Sequence, residues 1–201
     1  MKIAEGDADP EIVRVALGKL KPPNKVTVVA SDSDILIMLI ARTPVDTNLS
    51  VLVPNVGSHA AKLYNISRIQ TKIGSMKNLV LFTHAVTGCD TTSALYSKGK
   101  KKSWALLNKN ANVQKSLTIF NRTGVYPDEI VLAGEQFLLI LYNSQKYSSL
   151  DESRLFLYNR GIAKTKLTST FKLATHPPTS SGARQHLLRV YHQVSSGWET
   201  S

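Results

Sequence analysis

Lys25-Val-Thr-Val-Val-Ala30 is followed directly by Ser31-Asp-Ser-Asp34 and then by the apolar run Ile35–Ala41. The first segment is β-branched and of strand length, the second is an acidic turn, and the third has the apolar character of a buried helix. Strand, turn and helix in this order form the unit from which α/β sheets are built. The stretch therefore predicts an α/β fold with two carboxylates placed directly after a strand.

The flanking sequence continues the alternation of strands and helices. Apolar residues at helical spacing predict a helix over residues 10–20, and later segments predict a strand at 49–54 and a helix at 66–74. The apolar run at 78–84 follows as a further strand, with a buried helix as the alternative. Such alternation implies a mostly parallel sheet flanked by helices. The rest is predicted to be mainly helical, at residues 91–96, 101–107, 128–142, 150–158 and 184–194, with a linker at 175–182.

The composition limits the class of protein. The chain has 201 residues, with 25 Lys and Arg against 14 Asp and Glu, so its net charge is +11 and its pI is about 9.8. This length suits one domain, alone or with an extension. The longest apolar run, Ile35–Ala41, is far shorter than the roughly 20 residues that cross a bilayer, so no membrane partner is expected. The acidic N-terminus is unlike a secretory signal, and the single cysteine provides no zinc-binding motif.

Positive charge is concentrated between Asp46 and Asp128. That segment contains eleven basic residues and a single acid, Asp90. Clustered positive charge of this kind favours a polyanionic partner such as a nucleic acid. A solvated basic face without a partner is the alternative interpretation.

Asp32 and Asp34 follow the first predicted strand, at the edge of the sheet where α/β proteins bind ligands. A divalent cation relieves the repulsion between neighbouring carboxylates, and Mg²⁺ or Mn²⁺ prefers such oxygen ligands. Alternatively, Asp32 caps the following helix and Asp34 lies in its first turn. Asp7 and Asp9 have the same spacing at the start of the first predicted helix, and the same two interpretations apply to them.

Asp90 is predicted to open a helix inside the basic segment, and a lysine run at residues 98–102 follows it. Lysines are suited to backbone phosphates, and a glycine between them permits a close backbone approach. Hydroxyl side chains directly after Asp90 either contact the same phosphates or cap a helix. The predicted nucleic-acid-binding residues are Lys98, Gly99, Lys100, Lys101, Lys102, Thr91, Thr92 and Ser93.

Three short motifs together resemble a known family. Asp7-Ala-Asp9, Ser31-Asp-Ser-Asp34 and Gly88-Cys-Asp90 match, in order and spacing, the flap-endonuclease and Asteroid-like branch of the PIN-like nucleases. The segment from His84 to Trp104 is similar to the HALTGCDTTSAF-GKGKK-W signature of uncharacterised, multi-copy animal proteins of mobile-element type. The tail resembles the same group, so the similarity covers nearly the whole chain.

The resemblance implies a partial PIN-like fold, namely a parallel sheet flanked by helices and followed by a mainly helical C-terminal region. Residues 1–125 would be the C-terminal part of a nuclease domain, with a helix-two-turns-helix-like segment at about 88–108. A helical extension at 126–174 and a linker with a terminal helix at 175–201 would follow. The implied function is metal-dependent, structure-specific hydrolysis of DNA, branched or flap DNA included, in the nucleus or otherwise in the cytoplasm.

By position, the resemblance assigns roles to the five acids. The metal ligands would be Asp7, Asp9, Asp32, Asp34 and Asp90, and the catalytic residues Asp9, Asp32 and Asp34. The acids would bind two Mg²⁺ or Mn²⁺ ions. The helix-two-turns-helix-like segment would bind a K⁺ ion.

Two features depart from the family pattern. Asp stands at positions 7 and 9 where the family has Glu, and the upstream half of the fold, whose first strand carries a further catalytic Asp, has no counterpart here. A sheet without that strand has an unpaired edge. Two alternative functions follow. One is a catalytically inactive, nucleic-acid-binding remnant of a mobile-element protein, and the other is a haloacid-dehalogenase-type phosphatase with Asp32 as nucleophile and Asp34 as acid.

Overall fold

The strand, acidic turn and helix predicted at residues 25–41 are all present. The computed structural model describes residues 8–21, 23–55, 57, 60–164 and 172–196. Helix α1 (Ala8–Gly18) leads into strand β1 (Val26–Val29), and helix α2 (Ser33–Arg42) follows the turn. The described residues form two compact units, one ending at Leu81 and the other beginning at Phe82. The mixed α/β class predicted from the sequence is confirmed.

Among the described residues, the sheet of the first unit has three strands in the order β1, β2, β3. Strand β2 (Leu49–Val53) runs parallel to β1, with Val26 opposite Leu49. Strand β3 (Lys62–Asn65) runs antiparallel to β2. A parallel connection usually needs a crossover of a dozen or more residues, and residues 54–61 are too few for one. The sheet is therefore mixed rather than mostly parallel.

The two faces of this sheet differ in exposure. Leu49, Val51 and Val28 alternate along their strands and are buried. Helix α1 contacts β1, and helix α3 (Ile66–Ile73) contacts β2 and β3. On the other face, Val29 and Leu63 are each 65% exposed. Side chains alternate between faces along a strand, so one face carries the core and the other is open.

The apolar run at 78–84 is helical, as its alternative interpretation proposed, and the strand interpretation is wrong. A 3₁₀ turn at Gly74–Leu79 continues into helix α4 (Val80–Val86). Every residue from Leu79 to Thr87 is buried. Burial on all sides removes the hydrophobic periodicity that separates a helix from a buried strand.

The second unit is helical, and its helices largely match those predicted. They are α5 (Lys100–Asn108), α6 (Ala111–Leu117), α7 (Pro127–Leu141), α8 (Leu150–Lys164) and α9 (Ser180–Ser196). Phe82 packs against Phe120 and Phe137, with ring centroids 4.7 and 5.2 Å apart. Helix α9 packs on α7, where Gly134 lies against the side chain of Leu187. The predicted boundaries at residues 125 and 174 fall within this unit.

Two local predictions in the second unit need correction. Residues 91–96 form no helix, for reasons given below. The predicted linker at 175–182 is shorter, because α9 already begins at Ser180. The Thr179 hydroxyl accepts a hydrogen bond of 3.1 Å from the Gly182 amide, which is the contact of a helix N-cap. In the part of the chain that the structure describes, no helix is long and apolar enough to span a membrane.

Candidate functional site

The segment between α4 and α5 contains two turns instead of the predicted helix at 91–96. In the first turn, Cys89 and Thr92 exchange two backbone hydrogen bonds of 3.2 Å each. In the second, the Lys98 amide donates to the Leu95 carbonyl at 3.1 Å. Asp90 is exposed in the first turn and does not open a helix. We call residues 88–102 the two-turn segment.

Gly88 holds the first turn close to the rest of the segment. Its φ is +106°, and a Cβ atom there would lie 2.7 Å from the Cα of Ala94. Only glycine fits this conformation and this approach. Gly99, the predicted close-approach glycine, has a φ of −71° and open space where a Cβ would lie. Gly88 therefore shapes the segment, and Gly99 leaves room for a ligand at the start of α5.

The three hydroxyl residues after Asp90 have different environments. Thr92 is buried, and its hydroxyl donates to the Ala85 carbonyl and accepts from the Cys89 amide. The exposed Thr91 hydroxyl donates to Oε1 of Gln193 on α9 at 2.8 Å. Ser93 is exposed. The hydroxyl of Thr92 thus belongs to the turn itself.

The four lysines also differ in their contacts. The Lys100 ammonium group donates to the Gly88 carbonyl at 3.0 Å, and that of Lys102 donates to the Ser97 carbonyl at 2.9 Å. Lys98 lies over the ring of Tyr142, 4.5 Å from its centroid. Burial lowers the pKa of Lys98, and the charge of Lys102 adds to this shift. Lys101 is exposed and forms no hydrogen bond or ion pair with any described residue.

Helix α5 begins among these lysines without a side-chain cap. Gly99 is its N-cap residue and has no side chain to accept from the first amides. The first amides of a helix have no partner within the helix, and the helix dipole gives that end a partial positive charge. Lys100, Lys101 and Lys102, all exposed, occupy the same end. Ammonium groups and open amides together favour an anion at the start of α5.

The positive charge of the two-turn segment is not neutralised by nearby acids. Between described residues, ion pairs with acids are formed by Arg14 with Glu11 and by Arg184 with Asp128, each at 2.7 Å. Asp90 forms none with the described residues. Carbonyl oxygens and an aromatic ring hold Lys100, Lys102 and Lys98 without cancelling their charge. Among the described residues, no ion pair with an acid offsets the positive charge of the two-turn segment.

Asp9, Asp32 and Asp34 of the first unit lie at helix starts, and Asp32 and Asp34 follow directly after β1. Asp32 is the N-cap of α2, and its carboxylate accepts from the Asp34 amide at 2.8 Å. The Ser33 hydroxyl donates to the Asp34 carboxylate at 3.3 Å. Asp9 is half-buried in the first turn of α1, which packs on α2. The capping interpretation of Asp32 is confirmed, and Asp7 lies outside the described residues.

The donor set decides which ion these acids suit. Within the described ranges, no group of three or more His, Cys, Asp or Glu residues is arranged to hold a metal ion. Asp32 and Asp34, two positions apart at one helix start, supply the kind of oxygen donor that Mg²⁺ prefers, since Mg²⁺ is commonly bound by one or two carboxylates while it keeps several waters. Asp90 belongs to the other unit. A two-ion site and its K⁺ companion stay predictions.

Some partners of the site were not predicted from the sequence. Tyr142 under Lys98 and Gln193 beside Thr91 come from α7 and α9, far along the chain. Gly88 had a local signal, since a glycine before a polar turn marks a strained backbone position. Comparisons of the chain with protein-family models, curated proteins and solved structures give no match.

Proposed function

We propose that this chain binds the phosphodiester backbone of DNA through its two-turn segment, without reading the base sequence. The observation that carries this proposal is the uncompensated charge of Lys100, Lys101 and Lys102 at an uncapped helix start. Phosphate contacts by lysines and helix amides supply affinity but carry no sequence information. A helix, two turns and a second helix follow one another here, in keeping with the resemblance to DNA-gripping segments of PIN-like nucleases.

The hydrogen bonds of Lys100 and Lys102 favour this function over a merely solvated basic face. A flexible lysine loses side-chain entropy when it binds phosphate. Here two of the ammonium groups are already held against carbonyls of the same segment. Part of this entropy loss has therefore already occurred in the unbound chain. Binding the polyanion then costs less side-chain entropy, which favours binding.

A second candidate is the metal-dependent, structure-specific nuclease. The position of Asp32 and Asp34, directly beyond the carboxyl end of a strand in a parallel pair, favours it. A bound Mg²⁺ ion would activate a water and stabilise charge on the scissile phosphate. Asp32 and Asp34 would hold the ion, with Asp9, Asp7 and Asp90 as further predicted ligands. The capping bond of Asp32 uses one carboxylate oxygen and leaves the other available.

One titration tests both candidates. The full chain is titrated into fluorescein-labelled branched DNA and into a linear duplex, from 50 to 300 mM salt, with Mg²⁺ or with chelator. We expect binding that weakens linearly on a log–log salt plot and depends little on sequence. Absence of binding at 50 mM salt would contradict the DNA-binding function.

Variants separate binding from cleavage. The Lys101→Gln variant removes an exposed charge of the two-turn segment, and Lys19→Gln removes an exposed charge outside the basic segment as its control. The double variant Asp32→Asn, Asp34→Asn tests whether cleavage requires these two carboxylates. Mg²⁺-dependent cleavage that this double variant abolishes would support the nuclease. Binding without cleavage would support the inactive remnant.

A further inference from the structure

An open groove of about 600 Å³ lies between strand β3 and helix α3 in the first unit. Three consecutive strand residues, 63–65, line one wall. Consecutive strand residues point to opposite faces of a sheet, so a groove lined by all three follows the edge of the strand rather than one face. The opposite wall includes Arg68, Ile69 and Lys72 of α3.

Strand β3 is paired on one side by β2, and no described strand pairs with its other side. In an antiparallel strand, alternate residues direct their N–H and C=O groups away from the partner. Such an edge is a template for a further strand. Leu63, 65% exposed beside this edge, offers apolar contact to an added chain.

The positive charge of the groove favours an acidic ligand. Arg68 and Lys72 lie one helical turn apart, are exposed, and form no ion pair with described residues. None of the described residues that line the groove is acidic. Two of the neutral polar side chains are already engaged, because Asn65 accepts from the Arg68 amide and the Thr71 hydroxyl donates to the Ser67 carbonyl. The groups that can recognise a ligand are two cations, two apolar side chains, a strand edge and the hydroxyls of Tyr64 and Ser67.

We propose that this groove binds an extended, acidic segment of a partner protein, which adds a strand to the edge of β3. Main-chain hydrogen bonds to β3 would supply affinity, and apolar side chains of the segment would pack on Leu63 and Ile69. Its carboxylates would pair with Arg68 and Lys72. This interaction is independent of the proposed DNA binding, since it uses other residues in the other compact unit.

A nucleic acid fits the groove less well. A strand edge presents alternating donors and acceptors, whereas a phosphodiester offers acceptors alone, so the C=O groups of β3 would lose water without a donor in return. The exposed side chain of Leu63 would also gain no apolar contact from a phosphate group. A peptide backbone satisfies both kinds of group.

The test uses the full chain, labelled with ¹⁵N, and the peptide acetyl-EVEVEV-amide as the probe. Saturable shifts of the amide signals of residues 62–65, 68 and 72 are expected. The control peptide acetyl-KVKVKV-amide should bind roughly tenfold more weakly, because its charges repel those of the groove. An acidic peptide with alternate amides N-methylated should also lose binding, because it cannot complete the strand pairing.

Two variants keep the outcome clear. Arg68→Glu with Lys72→Glu should reverse the preference between the two peptides, and Arg68→Gln with Lys72→Gln should weaken it without reversal. Unchanged amide spectra away from the groove show that both variants fold. The proposal is overturned if the acidic peptide causes no shifts, if N-methylation leaves binding unchanged, or if oligothymidylate displaces the peptide from residues 62–65.

Discussion

The ammonium group of Lys100 donates a hydrogen bond of 3.0 Å to the carbonyl oxygen of Gly88, twelve residues earlier in the chain. The bond joins the start of α5 to the first turn of the two-turn segment. Because Gly88 itself fits only as glycine, the two residues fix both ends of the loop. Lys101, the next residue, has no such contact. Comparing substitutions at Lys100 and Lys101 therefore separates the contribution of a lysine hydrogen bond to stability from the contribution of a lysine charge to DNA binding.

The first prediction compares Lys101→Gln with Lys100→Gln. Each variant loses one cationic contact, so the slope of log affinity against log salt should fall by about one unit in both. Only Lys100→Gln should also lower the free energy of unfolding, by about 1 kcal/mol, because it removes the bond to Gly88. DNA titrations at several salt concentrations and urea unfolding measure the two effects.

The control for this pair is Lys19→Gln. Lys19 is exposed near the end of α1, outside the basic segment. Its variant should leave both the salt slope and the stability unchanged. An equal loss of slope in all three variants would show that net charge, and not the two-turn segment, attracts the DNA.

The second prediction concerns the two glycines of the segment. Gly88→Ala should destabilise the fold by about 3 kcal/mol, because a left-handed conformation is strained for alanine and the added Cβ meets backbone. Gly99→Ala should cost about 0.5 kcal/mol, since its φ is ordinary and its surroundings are open. If a phosphate approaches α5 closely, Gly99→Ala should nevertheless weaken DNA binding. Thermal unfolding and DNA titration of both variants provide the measurements.

The third prediction separates the capping role of Asp32 from metal binding. Asp32→Ala should cost about 1 kcal/mol in stability, whereas Asp32→Asn should be nearly neutral, because asparagine caps helices as well as aspartate does. If the nuclease candidate is right, Mg²⁺ raises the melting temperature of the unmodified chain but not of Asp32→Asn. Equal Mg²⁺ responses in both would leave Asp32 with the capping role alone.

The sequence alone predicts an element correctly where that element depends on residues close to one another in the chain. Asp32 caps the helix that follows it, and the β-branched run before it forms the strand. Strand β3 carried no such signal, because two of its four residues are exposed and its pairing with β2 stabilises it. Long-range pairing of this kind does not appear in hydrophobic periodicity.

The same limit applies to the candidate site. Residues 91–96 have helix-compatible apolar spacing, yet the Thr92 hydroxyl bonds to Ala85 and the backbone pairing of Cys89 with Thr92 closes a turn. Side-chain bonds of threonine to nearby backbone compete with helix formation. The lysines were identifiable from composition, but Tyr142 under Lys98 was not, because α7 brings it there from a distant part of the chain.

The fourth prediction is a pH dependence of stability from His186. This residue is 5% exposed on α9, and its Nε2–H donates to the Val86 carbonyl at 3.0 Å. Burial lowers the pKa of His186 below its usual value near 6.5, and the charge of Arg189 adds to this shift. Below about pH 6.5 the imidazole of His186 is protonated in the unfolded chain but less so in the folded chain. The contribution of His186 to the free energy of unfolding is therefore complete above about pH 6.5 and decreases as the solution is acidified.

Urea unfolding from pH 5 to 8 measures this contribution as the difference between the unmodified chain and His186→Gln. The difference in the free energy of unfolding should shrink from pH 7 towards pH 5, because the variant has no imidazole to protonate in the unfolded state. His192→Gln, at an exposed position of the same helix, is the control for replacing a histidine of α9 by glutamine. A profile that His186→Gln does not flatten would mean that His186 protonates in the folded chain as easily as in the unfolded one, and that its bond to Val86 survives the added charge.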